Sequence, residues 1–222
     1  MTKTVQVYNI LKEFIFKNQI LPGERIYLEN LSAKLNISPT PLREALNRLV
    51  QEDYFSHSSN RGYTLRVIAN SDVEKFYEFC EAIETYAIER ATNNITPADL
   101  AEFRENLTRY KESIEGNYSR QRFLINNEFH LKIATLSGNK IIVENLKQIL
   151  EKLIWKWKLE NIVHGRGPQA YDEHMAIYIS LENRDVQGAV NHLRNHIINT
   201  KNSVMKMLDM RENLFVGSEQ IP

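Results

Sequence analysis

The 222 residues include one cysteine, Cys80. A single thiol excludes an intramolecular disulfide framework and fits a reducing, cytoplasmic setting. Glycine is scarce at eight residues, and the chain is dominated by long periodic segments, so mostly helix is expected. No apolar run reaches the roughly 18 residues of a membrane span. The opening Met1-Thr2-Lys3-Thr4-Val5-Gln6 lacks the apolar core of a signal peptide. Neither sign of charge is in excess, with 28 basic and 28 acidic residues. What is present is ordinary for a globular protein with a real core: 42% hydrophobic and 25% charged residues. The length suits one large or two small domains.

The neutral total hides a division. Residues 1–66 carry nine Lys/Arg and six Asp/Glu, a net +3, and the remainder carries 19 and 22, a net −3. A basic small part beside an acidic large part suits a nucleic-acid head on a sensing body.

The stretch Ser38–Leu49 organises the first part. Leu42, Ala45, Leu46, Leu49 and Val50 form one apolar helical stripe. Thr40, Arg43, Glu44 and Asn47 fall on another face, with Arg48 and Gln51 beside them. Pro39 and Pro41 are tolerated in the first turn, where helix N–H groups are spare, and Ser38 or Thr40 can cap it. Before it, Val7, Ile10, Leu11, Phe14 and Ile15 predict a helix over about 4–18, and Leu28, Leu31 and Leu35 a short second helix. Ile20–Glu24 reads as a turn. After it, Tyr54–His57 and Tyr63–Val67 flank a polar, glycine-containing loop and predict a hairpin. Three helices and a hairpin make a winged helix-turn-helix, whose third helix reads DNA.

Ile20-Leu21-Pro22-Gly23-Glu24-Arg25-Ile26, then Ser38–Leu49, then Asn60-Arg61-Gly62 resemble the DNA-binding domain of the GntR superfamily of bacterial transcription regulators over residues 1–68. The resemblance implies DNA contacts by Ser38, Thr40, Arg43 and Arg48, and a wing tip, Arg61-Gly62, entering the minor groove. Arg43 is the first choice for reading a base, since a guanidinium can pair with guanine O6 and N7; a phosphate contact is the alternative. Pro39 stands where many relatives have arginine, and Glu29 lies where some have a basic residue, so the operator sequence stays open. His57 reads as a hairpin residue.

Beyond Asn70-Ser71-Asp72 the chain reads as about six helices, near 71–93, 97–115, 118–137, 140–162, 167–182 and 185–210. The breaks are Gly116-Asn117, Ser137-Gly138-Asn139 and His164–Pro168, and a loose tail follows about residue 211. The domains expected are therefore 1–68, 71–212 and a flexible tail, 213–222. Asn126 and His130 share a helix face at i, i+4, as do His192 and His196, and His174 follows Glu173. A bundle can gather such side chains around a metal.

Asn126-Asn127-Glu128-Phe129-His130, Ser137-Gly138-Asn139, Glu173–Ile177, Asp185–Ala189 and His196 resemble the FCD effector domain of the FadR branch, from residue 71 to about 210. Many members of that branch hold a divalent metal with an Asp and three His. The resemblance implies Asn126, His130, His174 and His196 here, with His192 outside the set. Asn126 replaces the usual aspartate, and three imidazoles suit zinc or nickel. Cys80 stands where the family often has an arginine that holds carboxylate effectors; Arg194 is a candidate to supply the missing charge. Of Trp155 and Trp157, one is expected in the bundle and the other at a contact.

The expectation is a mainly α protein: a winged helix-turn-helix followed by an FCD-type bundle. It is a cytoplasmic, homodimeric DNA-binding regulator, in the first instance a repressor, and not an enzyme. It binds a short inverted repeat and answers to a small organic acid or derivative at or near the metal. Two other readings stand beside it: a metal-dependent hydrolase or lyase using Glu173 as base, and a regulator whose metal is purely structural.

Overall fold

The computed structural model describes residues 2–59, 62–116, 119–160 and 166–218. The chain divides into two units, 1–69 and 70–222.

In the first unit, α1 (Lys3–Phe16) packs on α3 (Pro39–Gln51), with α2 (Leu28–Leu35) against α3. The stripe read from the sequence is the core. Val7, Leu11 and Ile15 of α1 are buried with Leu42, Ala45, Leu46 and Leu49 of α3, each large side chain contributing about 1.5–3 kcal/mol. α2 ends at Asn36, whose left-handed backbone (φ 52°) turns the chain toward α3. Ser38 sits at the N-cap of α3 but makes no side-chain cap bond. One reason is covalent: an N-cap oxygen seeks the N–H of the second or third helical residue, and the third is Pro41, which has none.

The hairpin strands are β2 (Phe55–Ser58) and β3 (Gly62–Leu65), joined by a third strand that the sequence did not announce, β1 (Arg25–Ile26). The order is β1-β3-β2, antiparallel throughout, with Arg25 opposite Thr64 and Phe55 opposite Leu65. Gly62 has φ +73°, and a Cβ there would lie 2.5 Å from the carbonyl oxygen of Ile26. Only glycine lets β1 pass this close.

The second unit is helical: α4 (Asn70–Asn94), α5 (Pro97–Glu115), α6 (Ser119–Leu136), α7 (Lys140–Glu160), α8 (Gly167–Glu182) and α9 (Val186–Ser218). α4 packs against α6, α7 and α9, while α8 packs against α5 and α9. α5 starts in a capping box, Thr96 with Asp99, preceding a buried face of Phe103, Leu107 and Tyr110. Gly138 (φ +73°) and the Asn139 side chain, which accepts the Ile141 N–H, form the turn between α6 and α7. α9 continues to Ser218, through most of the stretch read as tail. Residues 205–216 hold no glycine or proline to stop it. Trp155 is buried, as one of the two tryptophans was expected to be; the Trp157 side chain lies outside the described residues. Among the described residues, no helix is long and apolar enough to cross a membrane.

Candidate functional site

α6, α8 and α9 bring His130, His174 and His196 together in the interior of the second unit. All three are buried, and one ring nitrogen from each lies within 4.8 Å of the others. His174 Nε2 and His196 Nε2 are 3.3 Å apart. Two nitrogens bound to one tetrahedral zinc at about 2.0–2.1 Å are separated by roughly 3.3 Å, so this spacing would let both rings bind one ion.

Carboxylates hold the far sides of two rings. His130 Nδ1 is 2.5 Å from Glu84 Oε2, and His196 Nδ1 is 2.7 Å from Glu173 Oε2. With Nδ1 protonated and donating, each Nε2 lone pair is left for the centre of the cluster. Glu173 is itself held by Arg166, at 2.6 and 2.7 Å, and by Asn199 at 2.8 Å. The third ring is fixed by packing: Phe129 stacks on His174 at 4.3 Å, and Tyr110 meets it edge-on at 5.2 Å. The buried His174 Nδ1 has no hydrogen-bond partner among the described residues. Burial, then the neighbouring His196, His130 and Arg166, hold His174 well below the usual imidazole range; burial, His130 and Arg166 do the same to His196. Both are therefore neutral near pH 7, the form in which imidazole binds a metal. The residues fit a borderline divalent ion.

A cavity of about 30 Å³ adjoins the cluster, lined by Asn126, Cys80, Tyr77 and Thr200 among others, with His130 and His196. Asn126 thus shares the site with two of the histidines. Cys80 is buried, and burial, then the Glu84 charge and a hydrogen bond with it, push its thiol well up. It is a neutral thiol rather than a nucleophile. Arg194 is exposed, its Nε lies 3.4 Å from Glu81 Oε1, and it is not among the residues that line this cavity. His192 stands apart, exposed, with Nδ1 3.0 Å from Ser180 Oγ.

In the first unit, the polar face of α3 is exposed at Ser38, Thr40, Arg43 and Asn47. Tyr63 of β3 donates from its hydroxyl to Asn47 Oδ1 at 2.9 Å, and Thr4 of α1 donates to Glu44 at 2.6 Å. These bonds set α3 against the wing on one side and α1 on the other. Arg48 is engaged within the unit: its Nε is 3.0 Å from Glu52 Oε1, and its guanidinium lies 4.0 Å from the Tyr8 ring centre. Of the wing tip, Gly62 is at the start of β3, and Arg61 lies outside the described residues. His57 packs on Tyr63 at 4.5 Å between ring centres.

Residues 3–65 match the family model for bacterial regulatory proteins of the gntR family, and residues 75–199, over half of the chain, match that of the FCD domain. This chain belongs to the GntR family of transcription regulators, with an FCD effector-binding domain. The Escherichia coli regulator McbR is 32% identical over 189 residues, covering 83% of this chain and 85% of that protein. The Nta operon transcriptional regulator of Aminobacter aminovorans is 35% identical over 133 residues, covering 60% of this chain but only 62% of its own length. The solved E. coli McbR/YncC structure matches with a TM-score of 0.75 at 25% identity, covering 94% of this chain and 99% of that one.

For a GntR regulator the enzymatic alternative loses its base. Glu173 is not a free carboxylate beside a metal-bound water, since Arg166, His196 and Asn199 already occupy it. Glu84 is the residue that the sequence reading passed over. It sits in the same stretch as Cys80, one helical turn on, and that i, i+4 relation puts both on the face that meets His130.

Proposed function

We propose that this GntR regulator is a repressor whose operator binding is controlled by a small metabolite, an organic acid or derivative, at a divalent metal site. Asn126, His130, His174 and His196 would hold the ion, zinc or nickel by the chemistry of the donors. The three buried imidazoles converging within 4.8 Å carry this reading. When bound, the ion would supply a Lewis-acidic position at which an anionic effector is recognised. Glu84 and Glu173 would hold the rings so that the site is formed before the ligand arrives.

The DNA-binding domain, residues 1–68, would act in pairs. Two winged helices in a homodimer require a two-fold operator, a short inverted repeat. Ser38, Thr40 and Arg43 would contact it from the exposed face of α3, with Arg61-Gly62 at the wing and Arg48 limited to a phosphate by its hold on Glu52. Effector binding must favour one arrangement of the dimer over the other, or it cannot regulate. The experiment is a gel shift on the chain's own promoter, with and without chelator. DNA binding that depends on the metal and on added carboxylates supports the sensor. Binding that collapses on chelation and ignores every carboxylate favours a purely structural metal. No shift with any promoter fragment defeats the reading.

A further inference from the structure

Tyr77 is 6% exposed, and its buried hydroxyl has no hydrogen-bond partner among the described residues. Leaving such a group unpaired costs about 1–3 kcal/mol. It lies on α4, one turn before Cys80 and two before Glu84, and it lines the cavity beside His130 and His196. From α9, one turn after His196, Thr200 lines the same cavity. The Thr200 hydroxyl accepts a hydrogen bond from Arg166 Nη1 at 2.5 Å, so its own hydrogen is left to give. Leu150, Leu153 and Ile197 add apolar surface, and Asn126, Asn127 and Glu84, whose carboxylate is engaged by His130, complete the lining.

We infer that Tyr77, together with Thr200, is a ligand-recognition residue, donating its hydroxyl hydrogen to an oxygen of a compact oxyanion held beside His130 and His196. The inference rests on the metal-site reading above and names the residues and ligand size for that site. Two hydroxyls offering hydrogens call for a ligand that brings lone pairs rather than hydrogens. Size follows from the cavity: at about 10–15 Å³ of such space per water, 30 Å³ takes about two waters. Formate fits this space, acetate is at its limit, and an aromatic acid is larger than it. The Tyr77 hydroxyl is kept in its neutral, donating form by burial, with Cys80 reinforcing the effect.

The test uses the full chain loaded with Co²⁺, whose visible absorption reports the coordination sphere. Formate, acetate and benzoate are titrated into parent and Tyr77→Phe, and cobalt content is measured in both. Equal cobalt is expected in the two proteins. Formate and acetate should shift the parent's bands, and the dissociation constant should rise about tenfold in Tyr77→Phe, the value of one hydrogen bond. Benzoate should leave the bands unchanged. Equal formate affinity in parent and variant overturns the inference, because the hydroxyl then serves only an ordered water. Benzoate binding as tightly as formate overturns the size limit. A parent that takes up no cobalt defeats the metal reading itself, which separates the two failures. Thr200→Val carries the same comparison if Tyr77→Phe does not fold.

Discussion

His130 Nδ1 lies 2.5 Å from a carboxylate oxygen of Glu84, a residue 46 positions earlier in the chain, and both side chains are almost fully buried. The pair joins α4 to α6 and decides which nitrogen of His130 faces the cluster. Glu84→Gln keeps the volume and one acceptor oxygen but removes the charge. Metal affinity should fall by about 10–100-fold, as for other partners of metal-bound histidine. Competition with a chelator of known affinity measures this. Unchanged affinity would reduce Glu84 to a packing residue.

On the DNA face, Arg43 and Arg48 should behave differently. Arg43 is exposed on the same face of α3 as Asn47, whereas Arg48 is held by Glu52 and the Tyr8 ring. Arg43→Ala should abolish specific operator binding without unfolding the domain. Arg48→Ala should weaken operator and random DNA alike, by about the same factor, as expected for a phosphate contact. Fluorescence anisotropy on both DNAs checks this. Full operator affinity in Arg43→Ala would remove that residue from the contacts.

Gly62→Ala should lower the stability of the first unit by about 1–3 kcal/mol, since a side chain there meets both the left-handed backbone and the Ile26 carbonyl. The strain falls on the β1–β3 pairing, so amide exchange at Ile26 and Tyr63 should speed up before global unfolding does. Thermal and exchange measurements on the variant would reveal a null effect as readily as a loss.

Asp99 gives a pH dependence with a definite sign. Hydrogen bonds from Lys132, then from Thr96, hold its carboxyl down at about 2, against a usual 3.8. A depressed folded value means that the group stabilises the fold above the unfolded value, and the contribution disappears as pH falls from 3.8 to about 2. At about 1.4 kcal/mol per unit, screened at this partly open site, the effect is at most about 2 kcal/mol. Asp99→Asn should therefore flatten the acid limb of the stability curve in that interval and lower stability at pH 7. An acid limb identical to the parent's would contradict the assignment.

Most of the bundle was legible because its boundaries are chemical. Thr96-Pro97 with Asp99 marks a helix start, Gly138-Asn139 a break and Pro168 another start, and the helices begin and end close to those residues. β1 was not legible, since two residues cannot display an alternation and their pairing with Tyr63 and Thr64 depends on Gly62 leaving room for the Ile26 carbonyl. The three histidines converge as their spacing and the FCD resemblance suggested, but Glu84 was hidden: a glutamate in an amphipathic helix reads as a surface residue until its partner is known. The place of Arg194 outside the cavity lining also has a reason that the sequence contains. Arg194 is two residues from His196, nearly opposite on a helix, so the turn that buries His196 exposes Arg194.

Metal-dependent regulation requires that the histidine cluster hold an ion in a paired regulator. Native mass spectrometry of the full chain, purified without chelator, tests this directly. A dimer carrying one divalent ion per chain is expected, with His174→Ala dimers that have lost it. Parent dimers without metal, also after incubation with zinc or nickel, would contradict metal-dependent regulation.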